Sequence, residues 1–226
     1  MNSSEVKQVL REKGVEYLYH ANSVLTSISY LENGGLMSRE YVEECDYPQT
    51  PQVTDDTDKE FEIYNDIFLD SVDVHALSKN VNFYGPVLFV YSIDVLDEVS
   101  DYDICVTRTN AIYWSEKNTP ASERYYNNIN ELRRGFTKGN FGQSITIRNI
   151  SRPLSFRHLA KVILEDPGED NQDYLNRAFD RLNSLLDSVG KEDILEIRQC
   201  ENDCRCLGTY GNYKPAWTFH RFKLWE

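Results

Sequence analysis

Residues 15–35 read VEYLYHANSVLTSISYLENGG, and they decide the class of fold. Val15 to His20 is a short aromatic and aliphatic run of strand character. Asn22 or Ser23 then offers a helix cap, the apolar residues through Leu31 continue the helix, and Gly34-Gly35 ends it. A strand therefore delivers His20 directly before a helix N-terminus, whose free N–H groups can meet a phosphate or a ribose. The other reading of His20 is a satisfied strand-end residue.

Further strands lie outward from this unit. Pro86 to Val95 is almost continuously apolar, which predicts burial on both faces, while Ile104 to Trp114 and Gln143 to Ile150 supply two more, with alternation in Gln143-Ser-Ile-Thr-Ile-Arg148. Ile194 to Arg198 is a weaker fourth. Ser3 or Ser4 can cap an N-terminal helix that buries Val6, Val9 and Leu10 and stops at Gly14. Between Asp173 and Gly190 the residues Leu175, Ala178, Phe179, Leu182, Leu185, Leu186 and Val189 recur at helical spacing. Tyr47 to Lys59 and Glu116 to Ser122 read as loops. The order has no regular βαβ rhythm and holds no G-x-G-x-x-G or G-x-x-x-x-G-K-[ST], which disfavours Rossmann and P-loop architectures and predicts an α+β domain.

The 226 residues carry 24 Lys plus Arg against 37 Asp plus Glu, a net charge of −13 that opposes long-range capture of a polyanion. The charge is segregated. From Glu40 to Asp103 there are 17 acidic residues against Lys59 and Lys79, whereas from Arg124 to Lys161 eight basic residues face only Glu131. Tyr125, Tyr126, Phe136, Phe141, Phe156 and His158 accompany that basic stretch and could stack on bases while arginines meet phosphates. Internal pairing with the acidic half is the alternative. The longest apolar run, Val87 to Tyr91, is far short of the roughly 20 residues of a spanning helix. The charged N-terminus and five irregularly spaced cysteines fit a cytoplasmic protein with reduced thiols and no membrane partner.

Two further clusters carry chemistry. Asn65 to His75 alternates Ile67, Leu69, Val72 and Val74 with Asp66, Asp70, Asp73 and His75, so several carboxylates and a histidine emerge from one segment. If extended, Asp73 and His75 share a face and could form an acid–base couple; an oxygen-rich metal site and a solvated face are the other readings. Cys200-x-x-x-Cys204-x-Cys206, with His220 downstream, has enough soft ligands for tetrahedral zinc, but its spacing is not the usual C-x-x-C. Free thiols in a C-terminal turn are the alternative, with no metal.

Three stretches together resemble a known family. Leu18-Tyr-His-Ala-Asn-Ser23 with Leu31-Glu-Asn-Gly-Gly-Leu-Met-Ser-Arg39, then Tyr84-Gly-Pro-Val-Leu-Phe-Val90, then Phe141-Gly-Gln-Ser-Ile-Thr-Ile147 follow the order of elements in ADP-ribosyltransferase-fold proteins, most closely the DarT-like and CmdT-like bacterial toxins that modify nucleic acid. The resemblance covers residues 15 to 160. It implies a single domain with a split, mixed β-sheet, residues 1–165 forming the transferase-like core and 166–226 an extension packed on it. It also implies NAD as substrate, with cleavage of the nicotinamide glycosidic bond and transfer of ADP-ribose.

By position, the resemblance places His20, Asn22, Gly35, Ser38 and Tyr84 around NAD and Arg39 at the mouth. Arg133, Arg134 and Arg148 would lie along the polynucleotide. Where the family opens a strand with a catalytic glutamate, this chain has Gln143, whose amide cannot supply a negative charge to a developing cation. Either a carboxylate comes from elsewhere, Asp73 or Glu123, with His75 beside the first, or the protein reacts slowly on a reactive nucleophile, or it only binds. The implied function is an NAD-dependent mono-ADP-ribosyltransferase of RNA or single-stranded DNA, a bacterial toxin or phage-defence effector with an antitoxin as partner. Its rivals are a degraded transferase that only binds a nucleotide or a protein, and a metal-dependent phosphate-handling enzyme built on Asp66, Asp70, Asp73 and His75.

Overall fold

Three β-sheets, of four, three and two strands, organise the chain, and the site follows from how the first two meet. A computed structural model describes residues 1–115, 117–200, 203–210 and 215–224. In chain order the elements are α1 (Ser3–Glu12), β1 (Tyr17–Asn22), α2 (Val24–Glu32), β2 (Gly35–Leu36), α3 (Arg39–Glu44), α4 (Asp55–Glu60), β3 (Ile67–Leu69), α5 (Val74–Ser78), β4 (Val87–Ser92) and β5 (Ile104–Val106). There follow α6 (Ala121–Arg124), α7 (Ile129–Gly135), β6 (Ile145–Ile147), β7 (Leu154–Ser155), β8 (Leu159–Leu164), α8 (Gln172–Ser188), β9 (Leu195–Ile197), α9 (Cys206–Gly208) and α10 (Pro215–Phe222).

The main sheet runs β1-β4-β8-β9, antiparallel except for the parallel pair β8/β9. Its central strand β4 is buried on both faces: Val87, Phe89 and Tyr91 enter the main core, while Leu88 and Val90 pack with Ala21 on the other side. That is the pattern its unbroken apolar run requires, and each fully buried side chain of this size contributes roughly 1.5–3 kcal/mol. The second sheet runs β3-β6-β5, all antiparallel, and β2 pairs with β7. The two larger sheets touch at one point. Tyr19 N–H donates to Asp70 O at 3.0 Å and Asp70 N–H to Tyr19 O at 2.8 Å, so β1 hinges onto the end of β3 and the mixed sheet is split there. The α+β class with a split, mixed sheet is what the structure has.

Helix α2 begins where the sequence predicts, with the Ser23 side chain accepting from Thr26 N–H. All its residues from Val24 to Leu31 are buried, because it lies between the sheet and α8, and Gly34 takes the left-handed conformation (φ +83°) that ends it. Residues 166–224 supply more than a cover: β9 adds a strand to the main sheet, while α8 and α10 pack on α2. Among the described residues no helix is long and apolar enough to cross a membrane.

Several local expectations need correction. Asn2, rather than Ser3 or Ser4, caps α1. Only Ile104–Val106 of the stretch to Trp114 is strand; Asn110 then caps a 3₁₀ turn over Ala111–Tyr113. The Tyr47–Lys59 segment contains α4, where Asp55, Asp56 and Asp58 in the first turn suit the positive end of the helix dipole. The alternation of Asp66 to His75 is not one strand. β3 stops at Leu69, and Asp73 caps α5 by accepting from Ala76 N–H, so Asp73 and His75 do not share a strand face.

A candidate active site at the split between the sheets

Where β1 and β3 part, a cleft opens to solvent. His20, Asn22, Tyr30, Arg39, Asp58, Asp66, Asp70, Tyr84, Phe141 and Ser144 are among the residues that line it. His20 bridges the split: its Nδ1 lies 2.9 Å from Phe68 O. A carbonyl only accepts, so Nδ1 carries the proton and Nε2 keeps its lone pair. Burial pushes the His20 pKa down to about 4, which keeps the ring neutral at physiological pH.

Asn22 is the hub beside it. Its amide nitrogen lies 3.5 Å from His20 Nε2 and donates to Tyr30 OH at 3.0 Å, and its oxygen accepts from Ser23 N–H at 2.9 Å and Gln52 Nε2 at 3.2 Å. Gly85 lets the Tyr84 segment lie directly on this hub, because a Cβ there would sit 2.1 Å from the Asn22 carbonyl carbon. The strand-end motif and the Tyr84-Gly-Pro motif are thus two halves of one wall.

The opposite wall is acidic. Asp70, at the end of β3, accepts from Ser144 Oγ across from β6, and the protein around its carboxyl pushes its pKa up to about 7. Asp58 on α4 is likewise raised to about 6, by burial first. Both charges act on the Tyr84 hydroxyl, whose pKa lies above its ordinary value mainly through burial, so these groups converge on one space. A carboxyl that titrates near neutrality can take up a proton during a reaction.

Two arginines stand at or near the cleft. Arg39 makes a two-pronged contact to Asp55 at 3.0 and 2.7 Å and donates to Thr50 O at 3.0 Å. Arg221, from α10, donates to Gln52 Oε1 at 3.0 Å and Tyr84 O at 3.1 Å. Its pKa is lowered by burial and then by the Arg39 charge, and among the described residues no carboxylate lies within ion-pair distance of it. Arg39 thus faces the cleft while paired with Asp55, whereas Arg221, 5% exposed and outside the cleft lining, braces Gln52 and the Tyr84 carbonyl. Half-exposed Tyr84, Ile112 and Phe141 edge the mouth.

Of the residues expected around a cofactor, His20, Asn22, Arg39 and Tyr84 meet at the cleft. Gly35 does not: it pairs with Ser155 in β2, where a Cβ would sit 2.5 Å from Leu154 O. Ser38 caps α3 and bonds Asn65. Gln143 is withdrawn too. Its carbonyl accepts from Thr137 N–H at 2.8 Å and its amide donates to Tyr126 OH at 2.7 Å and Gly135 O at 3.1 Å, so it holds a loop together while its neighbour Ser144 faces the cleft. Asp73 pairs with Arg198 at 2.9 Å, and Glu123 is exposed on α6 away from the cleft lining.

The basic stretch is largely paired internally. Arg133 meets Glu12 at 2.9 Å, Arg148 meets Asp66 at 2.8 Å, and Lys161 meets Glu196 at 2.9 Å, while Arg134 bonds Asn130 O. None of Arg133, Arg134 and Arg148 lines the cleft. Among the described residues the four acidic and imidazole groups of 66–75 form no metal cluster either; His75 instead turns away from Asp66 and Asp70 towards Cys200, Cys204 and Cys206, and His220 is exposed on α10. Asp58, Gln52 and Arg221 had no local signal: Arg221 meets Gln52 across 169 positions of chain.

No family model matches the chain, and no curated protein matches it in sequence. Among solved structures, Thermus sp. 2.9 DarT in complex with ADP-ribosylated ssDNA superposes with a TM-score of 0.51 at 8% identity, over 84% of this chain and 96% of that one. Thermus sp. 2.9 DarT in complex with NAD+ gives 0.48 at 10% identity, over 81% and 96%. The first of these likenesses establishes a DarT-type fold, split at the position where the cleft opens.

Proposed function

We propose that the chain is an NAD-dependent mono-ADP-ribosyltransferase that modifies single-stranded DNA. The observation that carries this reading is the convergence, in one cleft, of a neutral histidine, the Arg39 guanidinium and a carboxyl that titrates near pH 7. Support also comes from the fold, since the DarT structure of the same fold holds ADP-ribosylated ssDNA.

His20 Nε2 and the Asn22 hub would receive the nicotinamide ribose, and Arg39 the diphosphate. In the reaction the bond from ribose C1′ to the nicotinamide nitrogen breaks, its electron pair leaving with neutral nicotinamide. A base nitrogen bonds to C1′ and loses its proton. Asp70 stabilises the positive charge that develops at C1′ and accepts that proton. Tyr84 and Phe141 at the mouth offer rings on which unpaired bases stack, which suits a single strand better than a duplex. The biological role that fits is a toxin or phage-defence effector restrained by an antitoxin.

Incubation with NAD labelled on its adenylate half, with single-stranded DNA, RNA and lysate protein offered in turn, tests the reading. Label on the DNA is expected. Label on RNA alone or protein alone would redirect the substrate assignment, and retained NAD binding with no label on any acceptor would overturn the enzyme. His20→Ala should abolish NAD binding; unchanged binding would remove His20 from the site.

A further inference from the structure

The segment that carries Asp73 and His75 away from the cleft brings His75 to three thiols. Its Nε2 lies 3.2 Å from Cys204 Sγ and 3.4 Å from Cys200 Sγ, Cys200 Sγ lies 3.5 Å from Cys206 Sγ, and all four atoms are within 4.8 Å of one another. Tetrahedral zinc, with bonds of about 2.3 Å to sulfur and about 2.0–2.1 Å to nitrogen, sets ligand atoms roughly 3.5–3.8 Å apart. The observed separations scatter around that figure. All five cysteines are free thiols.

The imidazole is held as a metal ligand would be. Nδ1 faces the Glu165 carboxylate, which can only accept, so Nδ1 carries the proton and the Nε2 lone pair points at the sulfurs. Glu165 is itself 2% exposed, accepts from Tyr210 OH and lies 4.0 Å from Arg198 Nε. A carboxylate behind a histidine is the usual way a zinc ligand's tautomer and orientation are fixed. His75 and Cys206 are buried, and four protein ligands leave no open coordination position.

We infer that His75, Cys200, Cys204 and Cys206 form a structural zinc site that ties the C-terminal segment to α5. The tie would fix α9, and with it Tyr210, which packs against Trp217 and Phe222 of α10. This inference stands independently of the transferase reading. It replaces His220, the histidine the sequence offers, with one 125 positions upstream of Cys200.

Elemental analysis of the full chain, purified with reducing agent and without chelator, tests it. One zinc per chain is expected, with the visible absorption of tetrahedral thiolate-bound cobalt when cobalt replaces it. Zinc below a tenth per chain after growth in zinc-supplemented medium, or a disulfide among the three cysteines, would overturn the site. Should Cys204→Ser fail to fold, Glu165→Gln keeps all four ligands. It should weaken zinc retention against a competing chelator by 10–100-fold, and unchanged retention would refute the orientation argument.

Discussion

Asp70 and His75 stand five positions apart and serve opposite kinds of site. Asp70 ends β3 at an open cleft, in contact with one hydroxyl and otherwise poorly solvated, so its carboxyl is pushed up to about 7. His75 begins the helix that follows and is closed in by Glu165 and three thiols. Between them the Asp73 cap turns strand into helix and reverses which side of the chain faces which partner. On the proposed readings, reactivity would go with incomplete pairing and anchorage with complete pairing.

The largest break in that contrast comes from removing the incompletely paired group. Asp70→Asn should lower transfer by about 10²–10³-fold, the usual cost of one preorganised electrostatic group, while NAD affinity changes little. Calorimetric titration and single-turnover assays separate the two effects. Stability should move the other way. Because the folded pKa is raised, the folded chain binds the more protons between about pH 4 and pH 7, and wild-type stability falls as pH rises through that window. Asp70→Asn should therefore melt above wild type at pH 8, with the gap closing towards pH 4.

Next in size is the wall that both motifs share. Gly85→Ala drives a methyl into the Asn22 carbonyl and should cost about 1–3 kcal/mol in denaturant unfolding, together with NAD binding. Gln143→Glu sharpens the contrast from the other side. The carboxylate cannot donate to Tyr126 and Gly135 and should cost about 1–3 kcal/mol without raising the rate, although it restores the family's residue type. A faster enzyme would return the catalytic role to that strand. Smallest is Arg133→Ala, which removes an exposed pair with Glu12 and should leave stability within about 1 kcal/mol and DNA affinity unchanged in a salt titration.

The fold was legible where local patterns agree with tertiary environment. Val15 to Leu31 named its strand, its cap and its helix because Ser23 and the apolar run act locally, and β4 announced its double burial by the unbroken apolar run from Val87 to Tyr91. The cleft was half legible. His20, Asn22, Arg39 and Tyr84 lie in short motifs, whereas Gln52, Asp58 and Arg221 acquire their roles only from contacts between distant segments. Alternation misled at Asp66 to His75, where a capping aspartate outweighed the two-residue period. Arginines of the basic stretch find carboxylates such as Glu12 and Asp66 outside that stretch, the internal pairing that its sequence left open. The cysteines offered enough soft ligands for a metal in an unusual spacing, and the histidine that the fold brings to them was invisible in sequence.

The pH profile of single-turnover ADP-ribosyl transfer to single-stranded DNA, at saturating NAD, tests the central claim most directly. If Asp70 is the carboxylate that acts in the cleft, the wild-type rate rises through about pH 7 to a plateau, and Asp70→Asn gives a low rate without that rise. Transfer by Asp70→Asn at the wild-type rate, with the same profile, would contradict it.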